Sequence, residues 1–127
     1  MIAVDTSVLI PVLRSAPSSG AALFWQLVNA DLITLPTIVR QEVRAGLSKY
    51  NRRKVLHLLS ALPVCVPTED TWMRVEQWTD QAADVGERFS LPDLLIAAIA
   101  DELGALVWTL DKDFERMAKL KFVRLYA

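Results

Sequence analysis

The chain alternates short apolar segments, typical of buried β-strands, with longer segments that have helical periodicity. Strands are predicted at Ile2–Val4, Leu32–Leu35, Val64–Val66, Leu106–Leu110 and Phe122–Leu125. None of these segments has the polar periodicity of a strand with one face in water, so each is expected to be buried on both faces. Buried strands separated by helices indicate a parallel sheet with helices on both sides. The prediction is one α/β domain over residues 1–127, with a central parallel sheet of four to five strands.

The helix predicted to begin at Ser90 is apolar on almost every face, because all residues from Leu94 to Ala100 are apolar. Such a helix is expected at the centre of the fold. Gly104 is expected to end it, since glycine readily adopts the left-handed conformation that closes many helices. The apolar run has seven residues, far fewer than the roughly 20 of a transmembrane helix. No association with a membrane is therefore expected.

The other helices are predicted from apolar residues that recur every three or four positions. They are Ser7–Arg14, Ser19–Ala30, a helix with Thr37 as its N-cap, Lys49–Leu62, a helix with Thr68 as its N-cap, and Asp113–Ala118. The helix after Thr68 carries Trp72 and Trp78 on one apolar stripe. That stripe predicts packing against the core, with contact between two copies of the chain as the alternative.

Composition excludes several classes of protein. Apolar residues make up 53% of the chain and charged residues 23%, which is incompatible with an intrinsically disordered protein. Cys65 is the only cysteine, so neither an internal disulfide nor a metal site built from several thiolates is possible. The first residues have no basic region and include Asp5, unlike a secretory signal. A cytoplasmic protein is therefore expected.

Charge is unevenly distributed along the chain, although the formal net charge is only −1. The segment Arg40–Lys54 contains six basic residues and one acidic residue, a net charge of +5. The segment Glu69–Glu87 contains six acidic residues and one basic residue, a net charge of −5. The basic segment can bind phosphate groups while the total charge stays near zero. The alternative is that both segments are solvent-exposed helix faces.

Five acidic residues are predicted to lie at the same end of the sheet. Asp5 follows the first strand, and Asp111 and Asp113 follow the fourth. Asp93 lies in the first turn of the central helix, and Glu42 lies in the helix after the second strand. Sites in open parallel sheets form beyond the carboxyl ends of the strands. Clustered carboxylates raise one another's pKa, and a divalent cation relieves that repulsion. Oxygen ligands without histidine or cysteine suit Mg²⁺ or Mn²⁺.

Each of these acids also has a purely structural interpretation. Asp93 stands three residues after Ser90, the spacing of a capping box, and can stabilise the start of a helix. Asp5 can cap the first helix, and Asp113 can lie in the favourable first turn of another. Glu42 can be a surface residue paired with an arginine. The combination of acids at strand ends and helix starts favours a shared site over these separate roles.

Four segments of the chain together resemble those of PIN-domain ribonucleases and, within that superfamily, the VapC-type toxins of bacterial toxin–antitoxin pairs. They are Val4–Ser7, Glu42–Leu47, Leu91–Ala98 and Thr109–Phe114. Their order and spacing extend over nearly the whole chain. The resemblance implies a central parallel sheet flanked by helices, in agreement with the fold predicted above. It also implies cleavage of RNA by an acidic cluster that holds Mg²⁺, with Mn²⁺ as a substitute.

The resemblance implies catalytic roles for the acidic residues. Asp5, Glu42 and Asp93 match the first three acids of the family. Two residues are candidates for the fourth acid. Asp113, which precedes a phenylalanine, is favoured, and Asp111 is then a further contributor. The implied metal ligands are Asp5, Asp93 and Asp113.

Other residues receive supporting roles from the same resemblance. Thr6 and Thr109 match small hydroxyl residues that lie beside the cluster and orient carboxylates or water. The implied contacts with the RNA backbone come from Arg44, Lys49, Arg52, Arg53 and Lys54. The implied partners are an RNA substrate, a cognate antitoxin protein and a second copy of the chain. His57, the only histidine, lies among leucines and is expected on a helix surface or at the edge of the core.

The sequence also bears on several alternative functions. A housekeeping PIN nuclease of RNA processing would carry the same residues. A PIN-fold module without catalysis is disfavoured because all the acids are present. A response-regulator receiver needs an acidic pair after the first strand and a lysine after the last, and neither pattern occurs here. A phosphatase of the haloacid type needs Asp-x-Asp after the first strand, where this chain has Asp5-Thr6-Ser7.

Overall fold

The computed structural model describes residues 1–17 and 19–127, and that part of the chain contains one four-stranded sheet. Its strands are β1 (Ile2–Val4), β2 (Ile33–Pro36), β3 (Val64–Cys65) and β4 (Leu106–Trp108). They lie in the order β3-β2-β1-β4, and every neighbouring pair is parallel. Because the strands are parallel, their carboxyl ends meet at one edge of the sheet. The predicted central parallel sheet is confirmed.

The described residues form seven helices around this sheet. They are α1 (Thr6–Leu13), α2 (Ala21–Asn29), α3 (Thr37–Ala45), α4 (Arg52–Leu59), α5 (Glu69–Asp84), α6 (Leu91–Glu102) and α7 (Asp113–Lys119). β1 and β2 are buried along their whole length, as expected for strands covered on both faces. Among these helices, none combines the length and the apolar character needed to cross a membrane.

α6 is the central helix, as its composition predicts. Every residue from Leu94 to Ala100 is buried, and the helix packs against α5, α3, β1 and β4. Gly104 follows the last turn with a φ of +64° and ends the helix as predicted. Because the body of α6 is fixed in the core, its first turn, which carries Asp93, is held at a defined place beside the sheet.

The predicted fifth strand at Phe122–Leu125 is wrong. Only its last residue forms a β-bridge, which is parallel and pairs with Val107 in β4. Phe122 instead stacks on Trp78 of α5, with ring centroids 4.5 Å apart and 4° between the ring planes. Phe122 and Val123 are both buried. The segment therefore packs against α5 at Phe122 and pairs with β4 only at Leu125.

β4 ends at Trp108, two residues earlier than predicted. The next two residues form hydrogen bonds toward the start of α1 instead of continuing the strand. Thr109 Oγ1 donates to Asp5 Oδ2 at 2.8 Å, and the Leu110 N–H donates to Ser7 Oγ at 2.9 Å. These side-chain bonds replace the strand ladder and turn the chain toward the carboxyl end of β1.

The starts of α3 and α4 also differ from the prediction. Pro36, not Thr37, is the N-cap of α3, because the Thr37 hydroxyl donates to the carbonyl oxygen of Cys65 in β3 at 2.8 Å. The helix predicted over Lys49–Leu62 forms only over Arg52–Leu59. Cys65 is half-buried, and this burial raises the pKa of its thiol.

The apolar stripe of α5 is buried only in its middle. Val75, Trp78 and Ala82 are buried, whereas Trp72 and Val85 are 46% and 60% exposed. Core packing is therefore confirmed for the middle of the stripe. Trp72, near the start of α5, is exposed and stays available for contact with another molecule.

Candidate active site

Asp5 lies directly after β1 and is almost completely buried, with 6% of its surface exposed. It is the N-cap of α1, so the capping interpretation of this residue is confirmed. Its Oδ2 atom accepts hydrogen bonds from Ser7 Oγ at 2.7 Å, Thr109 Oγ1 at 2.8 Å and the Ser7 N–H at 3.4 Å. Three donors on one oxygen offset much of the cost of burying a carboxylate.

The Ser7 and Thr109 hydroxyls connect the segments that follow β1 and β4. The two oxygen atoms are 3.3 Å apart. Ser7 Oγ also accepts from the Leu110 N–H, and Thr109 Oγ1 accepts from the Asp111 N–H at 3.0 Å. Thr109 thus lies beside the acids, as the resemblance implies. The sequence prediction assigned no role to Ser7, although a hydroxyl two residues after a capping aspartate is a recognisable local signal.

Three carboxylates come together in front of α6. One oxygen atom from each of Asp93, Asp111 and Asp113 lies within 4.8 Å of the other two. The Ser90 hydroxyl accepts from the Asp93 N–H at 3.2 Å and caps the helix. Asp111 Oδ1 accepts from the Asp113 N–H at 2.9 Å and holds the turn between β4 and α7. Asp5, a predicted metal ligand, is not part of this group of three, and Asp111 is.

The negative charges of three neighbouring aspartates act on Asp93. The pKa of Asp93 is raised from 3.8 to about 6. Burial is the largest cause, the negative charges of Asp111, Asp5 and Asp113 add to it, and a hydrogen bond with Ser90 opposes it. Asp5 therefore shares the electrostatic environment of the three-carboxylate group. Such mutual repulsion is the condition that a divalent cation relieves.

Glu42 lies on α3, outside the group of three carboxylates, and is exposed. Its Oε1 atom accepts a hydrogen bond of 3.2 Å from Thr6 Oγ1. Because Thr6 follows Asp5 directly, this contact ties Glu42 to the start of α1. Thr6 therefore holds a predicted catalytic carboxylate beside the start of α1.

Asp113 also contacts Arg116, a residue to which the sequence prediction assigned no role. Arg116 Nη2 donates to Asp113 Oδ1 at 3.0 Å, and Arg116 Nη1 donates to Glu87 Oε2. The pKa of Arg116 is raised, first by its hydrogen bond with Asp113. The spacing of three residues between Asp113 and Arg116 is a helical signal that could have predicted the first contact. Glu87 lies 29 residues away in sequence, so no local pattern predicts its contact with Arg116.

The basic residues predicted to contact RNA lie on the surface of α4 and before it. Lys49, Arg52, Arg53 and Lys54 are exposed, and Arg44 on α3 is half-buried. Arg52, Arg53 and Lys54 form the first turn of α4. Positive charges are unfavourable at that end of a helix, because the N-terminus carries a partial positive charge of its own.

The fold and the acidic cluster define an α/β protein with a carboxylate site at the edge of a parallel sheet. Residues 2–120 match the family model described as the PIN domain, and the chain belongs to that family. Membership of this family indicates a nuclease. No curated protein matches the chain in sequence.

Solved structures share the fold over almost the whole chain. The VapBC2 structure from Rickettsia felis, bound to a promoter DNA fragment, has a TM-score of 0.84 and 22% identity, with 99% of this chain and 98% of that chain covered. FitAcB from Neisseria gonorrhoeae has a TM-score of 0.80 and 23% identity, with 100% and 97% covered. VapC20 from Mycobacterium tuberculosis, described as a sarcin-ricin loop cleaving toxin, has a TM-score of 0.68 and 16% identity, with 92% and 95% covered.

Proposed function

We propose that the protein is a Mg²⁺- or Mn²⁺-dependent endoribonuclease that hydrolyses RNA phosphodiester bonds and serves as the toxin of a VapBC-type toxin–antitoxin pair. The observation that carries this proposal is the group formed by Asp93, Asp111 and Asp113, whose carboxylate oxygens lie within 4.8 Å of one another in a PIN-domain chain. The name of the similar VapC20 structure, a sarcin-ricin loop cleaving toxin, supports RNA as the substrate class.

The residues at the site fit a hard divalent cation. All the donors are carboxylate oxygens, which Mg²⁺ and Mn²⁺ prefer. Asp93, Asp111 and Asp113 would hold the ion, and Asp5 would contribute its charge or its second oxygen, because the three hydrogen bonds to it engage Oδ2. When bound, such an ion lowers the pKa of a bound water and offsets negative charge on a phosphate.

The chain's own residues orient the reacting groups. Ser7 and Thr109 fix the Asp5 carboxylate through Oδ2, so its direction is set before substrate binds. Glu42 has an exposed carboxylate that is held by Thr6, and we assign it to orient the attacking water and accept its proton. His57 is exposed on α4 and has no part in this scheme.

The basic residues supply the electrostatic attraction for RNA. Three cations in the first turn of α4 repel one another and the positive end of the helix, which costs stability in the free protein. Phosphate groups of a bound RNA would neutralise Arg52, Arg53 and Lys54 and relieve that cost. Arg44 lies on α3, which also carries Glu42, and Lys49 lies between α3 and α4; both would add to this attraction.

The partner that we assign to this protein is a cognate antitoxin. A narrow apolar groove of about 40 Å³ runs between α1, α3 and α4, next to the elements that carry Asp5 and Glu42. Its walls include Ile10, Leu13, Val43, Leu47 and Val55, with Arg14 at its side. An apolar antitoxin segment would bind in this groove, and a basic antitoxin side chain would reach the carboxylates.

A homodimer is the second association that we assign to this protein. Trp72 on α5 and Leu91 on α6 are 46% and 55% exposed, and both line one open depression. Exposed large apolar side chains of this kind are enriched where protein surfaces meet.

Cleavage of purified RNA tests the proposed activity. The chain is incubated with RNA in the presence of Mg²⁺, of Mn²⁺, or of a chelator, and the products are separated by length. Cleavage in both metals, its loss on chelation and its recovery on adding Mg²⁺ are expected. Cleavage that survives chelation would contradict the metal dependence. Mn²⁺ binding without cleavage would favour a PIN-fold binding module instead.

A further inference from the structure

The side chain of Arg116 joins the two regions that carry the three-carboxylate group. Its Nη2 atom donates to Asp113 Oδ1 at 3.0 Å, at the start of α7. Its Nη1 atom donates to Glu87 Oε2, in the loop that leads into α6 and Asp93. The guanidinium carbon also lies 4.7 Å from the ring centroid of Phe89 in that loop. One planar group is thus held by three contacts.

These contacts make Arg116 a fixed hydrogen-bond donor to Asp113. Half of the Asp113 side chain is exposed, so the carboxylate would rotate freely without a partner. A helical pair at a spacing of three residues is weak when it stands alone, at about 0.2–0.5 kcal/mol. Here Glu87 and Phe89 hold the guanidinium from the other side, so Arg116 does not need to be ordered by Asp113. The donor on Oδ1 then restricts which way the second oxygen of Asp113 points.

From this geometry we propose that Arg116 is a positioning residue, which orients Asp113 for binding of the divalent cation. The inference rests on the proposed metal site. Hydrogen-bond partners of metal-binding carboxylates and histidines contribute strongly to affinity, and their loss costs about 10- to 100-fold. We expect the lower end of that range here, because Arg116 contacts one carboxylate of several.

Orientation of Asp113 and simple charge repulsion predict opposite changes in metal affinity when Arg116 is removed, so the direction of the change tests this inference. Arg116 is a cation next to a site for another cation, so by charge alone its removal would increase the affinity for a divalent metal. If Arg116 acts by orienting Asp113, its removal decreases the affinity. If Arg116 only braces the fold, its removal changes stability and leaves the affinity unchanged.

Arg74 offers a matched control elsewhere in the molecule. Its Nη1 atom donates to Asp101 Oδ2, and its guanidinium carbon lies 5.9 Å from the ring centroid of Trp78. The contact types are those of Arg116, an ion pair and a cation–π contact. Asp101 lies in the last turn of α6, eight residues after Asp93, which is about 12 Å along the helix axis. Arg74 is therefore remote from the acidic cluster.

The test measures Mn²⁺ affinity by calorimetric titration in the absence of RNA. Arg116→Gln is expected to weaken Mn²⁺ binding about tenfold, whereas Arg74→Gln should bind Mn²⁺ like the unmodified chain. Arg116→Lys keeps the charge but replaces the planar guanidinium by a compact ammonium whose donors have no fixed fork geometry, so it should also bind Mn²⁺ more weakly. Glu87→Gln leaves Arg116 in place but weakens the contact that holds its guanidinium, so its Mn²⁺ affinity should fall by about threefold. This variant provides the test if the Arg116 variants fail to fold.

The outcomes separate this inference from the metal site itself. If the unmodified chain binds no Mn²⁺, the proposed metal site and the role of Arg116 fall together. If it binds Mn²⁺ and folded Arg116→Gln binds equally or more tightly, only the positioning role is overturned. Full affinity in Arg116→Lys, or in Glu87→Gln when the Arg116 variants do not fold, would also overturn it.

Discussion

The Thr109 hydroxyl donates a 2.8 Å hydrogen bond to Asp5 Oδ2, although the two residues are 104 positions apart in sequence. Asp5 follows β1 and Thr109 follows β4, two strands that are neighbours in the sheet. The Thr109 oxygen also accepts from the Asp111 N–H at 3.0 Å. One hydroxyl therefore sets the position of Asp5 relative to Asp111, which belongs to the three-carboxylate group.

Replacing Thr109 by valine removes this hydroxyl at nearly constant shape. The buried Asp5 carboxylate then loses one of its donors, so Thr109→Val should lower the free energy of unfolding by about 1–2 kcal/mol. RNA cleavage should also fall, because Asp5 and Asp111 are less well oriented. Denaturant unfolding in a chelator measures the first effect. Thr109→Ser keeps the hydroxyl and should stay within about 0.5 kcal/mol; an equal loss in both variants would argue against the hydrogen bond as the cause.

The raised pKa of Asp93 predicts how stability depends on pH in the absence of metal. With a pKa of about 6 in the folded chain against 3.8 for the free carboxyl, the folded state binds more protons between these values. Stability therefore falls as the pH rises through that window. For this partly exposed group the loss is on the order of 1–2 kcal/mol above pH 6. Unfolding measured from pH 4 to pH 7.5 in a chelator checks the direction.

Asp93→Asn separates the metal interpretation of this residue from the capping one. Asparagine removes a charge that Asp111, Asp5 and Asp113 repel, so the metal interpretation predicts equal or higher stability without metal at pH 7. The pH dependence described above should largely disappear. The capping interpretation predicts a loss of about 0.5–1 kcal/mol through the helix dipole. Thermal melts of both chains in a chelator distinguish the two.

The same substitution should reduce the response to metal and the activity. Mn²⁺ should raise the Tm of the unmodified chain by binding the folded state, and this increase should shrink in Asp93→Asn. RNA cleavage should drop by orders of magnitude, since water activation and charge neutralisation both depend on the ion. Full metal-dependent cleavage by Asp93→Asn would show that the site assignment is wrong.

The basic first turn of α4 predicts a salt-dependent contribution to RNA binding. Replacing Arg52, Arg53 and Lys54 together by alanine should weaken binding about equally for different RNA sequences and flatten the dependence of affinity on salt. Mn²⁺ affinity should not change. Filter binding at several salt concentrations measures the slope.

A second triple variant controls for the change in net charge. Lys119, Lys121 and Arg124 are also exposed and lie at the other end of the chain, so replacing them by alanine removes the same total charge. We expect this variant to keep the original salt slope. Equal flattening in both variants would mean that α4 provides no specific RNA surface.

The toxin assignment predicts an effect on growth. Overexpression of the unmodified chain in its native host should arrest growth, and Asp93→Asn at the same expression level should not. Co-expression of the cognate antitoxin, sought in a short reading frame next to this gene, should restore growth. Harmless expression of the active chain would count against a toxin while leaving nuclease activity open.

Local patterns were sufficient to predict the layered fold. The apolar run from Leu94 to Ala100 has no polar face, so a helix there can only be stable inside the core, where the structure has it. The ends of elements were less predictable. β4 stops at Trp108 because Thr109 bonds a residue 104 positions away. The segment Phe122–Leu125 pairs with β4 only at Leu125, while Phe122 stacks on Trp78.

The sequence by itself determined that Asp5 and Asp111 follow strands and that Asp93 and Asp113 lie in the first turns of helices, the pattern that predicts acids near the sheet edge. It also determined the PIN family, because the order and spacing of the four motifs are properties of the chain alone. Only the tertiary structure decided that Asp111 lies with Asp93 and Asp113, while three hydrogen bonds engage Asp5 Oδ2. Distances of a few ångströms between carboxylates that follow β1 and β4 and carboxylates in the first turns of α6 and α7 depend on how buried helices pack against the sheet. That packing sums many contacts between residues distant in sequence, which no local pattern records.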